Sequence, residues 1–119
     1  NLKKSVEEVN RVLKNNGEMV FLEPLGTNPI INFYRKLTPK SRSVDEHPFL
    51  KKDFDFINSL FNHVTVRHYG FFTLVFFLFY RDPKESLMFK IISKLDYYFF
   101  KIKYFKNFAW SVLIIAKKN

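Results

Sequence analysis

Leu2, Val6, Val9, Val12 and Leu13 recur at intervals of three and four, while Lys3, Lys4, Glu7, Glu8 and Arg11 fall mostly between them. That spacing puts the apolar set on one face of a helix. Glu7 and Arg11 supply a favourable i,i+4 pair. Asn16-Gly17 ends the helix, since glycine takes the left-handed C-cap conformation without a Cβ clash. Residues 19–22 are then an unbroken apolar run, as expected of a strand covered on both faces. A helix leading by a short turn into such a strand is one αβ step of a parallel-sheet protein. Glu23-Pro24-Leu25-Gly26-Thr27 follows as a loop at the strand's carboxyl end, where ligands bind in open α/β sheets.

Asn28-Pro29 reads as the N-cap and first position of a second helix. It carries Ile30, Ile31, Phe33, Tyr34 and Leu37 and stops near Thr38-Pro39. Residues 39–49 are polar and charged, which predicts a surface loop. A short helix follows with Phe54, Ile57, Leu60 and Phe61 inward. Val64, Val66 and His68 alternate with Thr65, Arg67 and Tyr69, a strand periodicity. Residues 71–80 are apolar throughout, and periodicity leaves strand and helix both open. Asp82-Pro83 starts a long helix whose spacing holds to about Leu95. Beyond it, residues 97–108 interleave Phe, Tyr and Lys. Residues 110–116 form a closing buried strand.

Composition narrows the picture. The 119 residues suffice for one domain, and 47% hydrophobic content supports a core. The absence of Cys excludes disulfides, thiolate zinc sites and a cysteine nucleophile. His63 and His68, five apart on a strand, point to opposite faces, so no metal site is expected. Ser41 and Ser43 lack a nucleophile-elbow context. The net charge of +9 favours anionic partners. The start, Asn1-Leu2-Lys3-Lys4, has no signal-peptide pattern, and the longest apolar run is far short of the roughly 20 residues of a membrane-spanning helix. A cytoplasmic location is expected, with membrane association as an addition.

Several motifs fall in a recognisable order. Arg11-Val12-Leu13 with Gly17 is similar to the turn before the fifth strand of the class I S-adenosylmethionine-dependent methyltransferases, with Asn15-Asn16-Gly17 in place of the usual Pro-Gly-Gly. Glu23-Pro24, Asn28-Pro29, Arg35, Thr38-Pro39, Arg42 and Glu46-His47-Pro48 resemble a recurring pattern in one branch of that family (methyltransferase type 11-like). So do Leu95-Asp96 and Ala109-Trp110. The resemblance covers nearly the whole chain. It implies the C-terminal portion of a Rossmann-like methyltransferase sheet, incomplete, of order 3-2-1-4-5-7-6 with the seventh strand antiparallel. Strands five, six and seven would be 18–23, 63–69 and 110–116. Residues 1–119 would then be the C-terminal part of a single methyltransferase domain, with the N-terminal cofactor-binding half absent. The cofactor of the complete protein would be S-adenosylmethionine. No G-x-G-x-x-G occurs here, and glycines at 17, 26 and 70 cannot compose one.

The resemblance places the acceptor, a small molecule or a lipid-like molecule, against segment 23–50. Glu23 lines that pocket or caps the following turn. Asn28, Arg35 and Arg42 are candidate substrate contacts, the arginines as bidentate grips on an anion or as loop anchors. Glu46 and His47 are the candidate catalytic pair, because His titrates near neutral pH, or they only hold the loop. The rival class is a non-catalytic basic and aromatic module. Segment 97–108 can lie on an anionic membrane surface, stack on nucleic acid (the weaker alternative), or pack as a helix on the sheet with its lysines outward. Without a neighbour, strand 18–23 exposes an apolar edge, so self-association is expected, and no methyl transfer by this chain alone.

Overall fold

Val112, Ile114 and Ala116 are buried and alternate with the half-buried Leu113, Ile115 and Lys117. A strand with one buried face and a half-buried second face belongs in the middle of a sheet. In the computed structural model, which describes residues 2–41, 47–79 and 86–119, this strand, β3 (Ser111–Lys117), is central. β1 (Glu18–Pro24) and β2 (His63–Tyr69) flank it, both antiparallel to it, in the order β1-β3-β2. The chain is therefore mixed α/β with a small three-stranded antiparallel sheet. The strands expected at 18–23, 63–69 and 110–116 are present to within a residue. The parallel step expected from the helix–glycine–strand order does not join adjacent strands, because β3 inserts between β1 and β2. These two run parallel to each other, so their carboxyl ends lie at one end of the sheet.

The register assigns the faces. Met19 and Val64 flank Ala116, Phe21 and Val66 flank Ile114, and Glu23 and His68 flank Val112. This face is covered by α1 (Leu2–Val12), through Val6, and by α3 (Lys51–Leu60), through Ile57. Phe49, Phe61 and Phe100 complete the core. Phe49 packs edge-on to Phe54, with ring centroids 5.2 Å apart. The other face is open: Val20 and Leu22 are 58% and 62% exposed. Strand 18–23 is thus covered on one face only, not both. Its apolar run reflects a second face that nothing among the described residues covers.

Two details of the first turn also differ from expectation. Arg11 pairs with Glu8 at 2.6 Å rather than with Glu7. The positive φ after α1 falls on Asn16 (62°), which tolerates the left-handed region, and not on Gly17. Gly17 is needed for space instead, since a Cβ there would meet the Lys14 carbonyl oxygen at 2.8 Å. The Lys118 ammonium donates to the Leu13 and Asn10 carbonyls, placing a cation on the carbonyl end of α1.

The apolar stretch after β2 is helical. α4 (Phe72–Phe79) and α5 (Leu87–Phe99) are joined by the Asp96 carboxylate. Asp96, 5% exposed, accepts from the backbone N–H groups of Phe72 (2.7 Å), Thr73 (3.1 Å) and Phe71 (3.3 Å), and from the Thr73 hydroxyl (2.6 Å). A side chain of α5 thus satisfies the orphan donors and the positive dipole end of α4. Ser86 caps α5 by accepting from Phe89 N–H. Asp82-Pro83, the expected helix start, lies outside the described residues. The segment 97–108 is not one helix. α5 ends at Phe99, and a 3-10 segment (Lys103–Phe108) follows. Phe99 links the pieces by stacking on Phe71 (4.8 Å) and Phe105 (4.3 Å).

Replacing Asp96 by Ala is expected to cost about 2–4 kcal/mol in urea unfolding, the range for stranding buried donors and losing a charged cap. A loss below about 0.5 kcal/mol would contradict the capping role. A V20K/L22K double variant places charge on the open face of β1. It is expected to shift the chain toward monomer in light scattering, and an unchanged oligomer distribution would locate self-association elsewhere.

Candidate functional site

The loop after β1 is fixed on all sides. Leu25 N–H donates to Trp110 O (2.8 Å), Phe49 N–H to Pro24 O (2.8 Å) and Gly26 N–H to Phe49 O (2.8 Å). From α2 (Pro29–Leu37), the Asn32 amide donates to Gly26 O (2.7 Å) and Arg35 Nη1 to Leu25 O and Asn32 Oδ1 (both 3.1 Å). Thr27 Oγ1 donates to Asn107 O (3.0 Å). The loop therefore carries little freedom, and it is registered against the 3-10 segment.

The sequence-predicted site residues separate on this frame. Asn28 is 2% exposed. Its Oδ1 accepts from Ile30 and Ile31 N–H, and its Nδ2 donates to Phe108 O. It acts as the expected N-cap and as a tie to the 3-10 segment. Arg35 occupies the loop-anchor alternative. His47 is exposed, with Nδ1 3.1 Å from Pro48 O. Arg42 and Glu46 lie outside the described residues. Glu23 lies on the covered face at the end of β1, where burial raises its carboxyl pKa above the ordinary value.

A group that sequence reasoning weighed only as a metal ligand stands in the same row. His68, at the end of β2, lies on the covered face across Val112 from Glu23. Its ring is 6.1 Å from that of Phe100. Burial, and then the charge of Lys106, lower its pKa to about 4, so the imidazole is neutral at physiological pH. The available signal was parity: His68 shares the face of Val64 and Val66, which makes it a titratable group on a core face.

Two clefts meet at Val66, His68 and Lys106. One, about 560 Å³, opens between Leu25, Thr27, the α3 residues Lys51 and Asn58, and the 3-10 residues Lys103 and Asn107. The other, about 590 Å³, lies toward α5, between Arg67, Tyr97, Lys101 and Asp96. Both fall in the size range of small-molecule sites. Among the described residues no cluster of three or more metal-ligating side chains occurs. Comparison with known protein families, curated proteins and solved structures finds no match to this chain.

The depressed pKa of His68 has a signed consequence. Between about 4 and 6.5 the unfolded chain holds a proton at this residue that the folded chain does not. Its contribution is fully present above pH 6.5 and is lost as pH falls toward 4. Glu23, with a raised pKa, acts in the opposite direction at acidic pH. Urea unfolding on either side of this window should show stability falling with acidity, less steeply in His68→Gln. An identical slope in the variant would contradict the burial of a neutral imidazole.

Proposed function

We propose that this chain carries the C-terminal portion of a class I S-adenosylmethionine-dependent methyltransferase domain, on the side that meets a small-molecule or lipid-like acceptor. The observation that carries the reading is the strand order. Two strands run parallel with a later antiparallel strand inserted between them, as for strands five, seven and six of that family. Further support comes from the open face and free edge of β1, which in the complete sheet would meet further strands and helices.

The residues present do not fit the cofactor. A Cβ would meet Lys14 O at 2.8 Å at Gly17, Leu50 Cδ2 at 2.8 Å at Gly26, and Trp110 Cβ at 3.0 Å at Gly70. All three glycines serve the chain's own packing, and none is left to cradle a ligand. On this reading the donor site belongs to the other half of the domain. Methyl transfer is an in-line displacement from an activated donor, so the acceptor side has mainly to orient and to exclude water. The hydrogen-bonded loop after Glu23 supplies a rigid wall for that task. Acid–base participation by Glu46 and His47 belongs to the same proposal.

Two outcomes are expected. The coding sequence read in frame ahead of Asn1 supplies a strand, a glycine-rich loop and an acidic strand end. The protein from that longer frame binds S-adenosylmethionine by calorimetry, whereas the present chain alone does not. A start codon immediately before Asn1, or cofactor binding by this chain alone, overturns the reading.

One observation favours a second reading, an anionic-surface module. Tyr97, Tyr98, Ile102 and Tyr104 are exposed beside Lys101 and Lys103. Lys101 Nζ lies 4.8 Å and 4.9 Å from the Tyr97 and Tyr98 ring centroids. Such rings and ammonium groups suit a headgroup layer. No helix among the described residues is long and apolar enough to cross a membrane. Salt-sensitive sedimentation with anionic vesicles, without cofactor binding by the longer frame, would support this reading over the first.

A further inference from the structure

The cleft between α3, β2 and the 3-10 segment has a charge pattern that the methyl-transfer reading does not use. Lys51, Lys103 and Lys106 line it, and among the described residues no carboxylate does. The adjoining cleft adds Arg67 and Lys101. Asp96, its one acid among the described residues, already accepts four hydrogen bonds from the start of α4. The Glu8–Arg11 ion pair belongs to α1 and lines neither cleft. Like charges gathered around one concavity repel unless an anion enters.

The side chains also define the kind of anion. Among the described residues the cleft by α3 presents no arginine, and so no planar fork to grip a carboxylate in bidentate fashion. It offers ammonium groups instead, compact charges with rotatable donors that suit the several oxygens of a phosphate. Asn58 and Asn107 add neutral polar groups at the rim. Leu25, Phe54 and Val66 give the same cleft an apolar wall. We propose that this cleft binds a phosphomonoester carried on an apolar or aromatic body, with Lys51, Lys103 and Lys106 around the phosphate and Phe54 and Val66 against the body. The cleft shares Leu25 and Thr27 with the loop that the methyltransferase reading takes as a wall, but the lysine contacts to phosphate do not depend on that reading.

His68 provides an internal reporter, because it borders the cleft and is held neutral by burial and by Lys106. The charged and titratable groups around it are Lys103 and Lys106 of the 3-10 segment, Lys51 of α3, Arg67 of its own strand, Asp96 and Tyr97 of α5, Lys101 beyond α5, and Glu23 of β1 across Val112. A bound phosphate adds negative charge among mostly positive neighbours. It should therefore favour the imidazolium and move the His68 titration upward.

The test is titration of the full chain with phenyl phosphate, followed by the NMR signals of the His68 ring, with phenol as the uncharged control. Saturable shifts with phenyl phosphate, none with phenol, and an upward move of the His68 midpoint are expected. Lys103→Gln with Lys106→Gln should weaken binding by on the order of tenfold or more, the scale of losing charge-assisted contacts. Lys51→Gln alters one exposed side chain at the start of α3 and should weaken binding without affecting folding. Lys117→Gln, away from both clefts, should leave it unchanged. Vesicles containing phosphatidic acid distinguish a lipid headgroup from a soluble ligand: binding to vesicles but not to phenyl phosphate, lost in Lys51→Gln, would keep the phosphomonoester and assign it to lipid. No response to either probe, or equal binding by wild type and Lys51→Gln, overturns the proposal.

Discussion

The buried carboxylate of Asp96 organises the second half of the molecule. An isolated carboxylate is costly to remove from water, and this one is accommodated because it meets four donors at the start of α4. The contact fixes α4 against the last turn of α5. With that turn fixed, Phe99 stacks between Phe71 and Phe105 and brings the 3-10 segment down over β2. Lys103 and Lys106 thereby reach the carboxyl ends of β1 and β2, where His68 stands. The cap thus bears on where Lys103 and Lys106 stand, while Lys51 and Arg67 are carried by α3 and β2.

The first half is organised by backbone contacts instead. The loop leaving β1 is tied to Trp110, Phe49 and the side chains of α2, and Asn28 and Thr27 tie it to the 3-10 segment. The two halves therefore meet at one seam. Residues the sequence offered as ligand contacts, Asn28 and Arg35, spend hydrogen bonds on this seam. The groups left around open space are Lys51, Lys103, Lys106 and a neutral His68. The lysine-lined cleft opens along this seam, between the loop residues Leu25 and Thr27 and the α3 residues Lys51, Phe54 and Asn58.

The exposed apolar groups carry a message of their own. Val20 and Leu22 on β1, and Ile30, Phe33, Tyr34 and Leu37 on α2, are all largely exposed. Apolar residues at strand and helix spacing form faces rather than scattered contacts, and a face of this kind marks a surface built to be covered.

Local chemistry was legible in the sequence wherever a short-range rule decided the outcome. Asn28-Pro29 opened α2 as an N-cap and first-turn proline should, and the alternation from Val64 to Tyr69 made a strand with its histidines on opposite faces. The strand order had no such local source; it entered only through the resemblance. Where two residues could serve, the sequence left the choice to packing: Asn16 rather than Gly17 took the positive φ, and Glu8 rather than Glu7 met Arg11. Segment 71–80 was equally apolar as strand or helix, and Asp96, 23 residues beyond Thr73, caps the helix that forms there. The lysine cleft was illegible for the same reason. Lys51, His68, Lys103 and Lys106 come from three separate elements, and nothing in their spacing announces that they meet. Periodicity and local caps such as Asn28 act over one turn of chain and can be read along it. Charge brought together by the docking of distant elements exists only in the folded molecule.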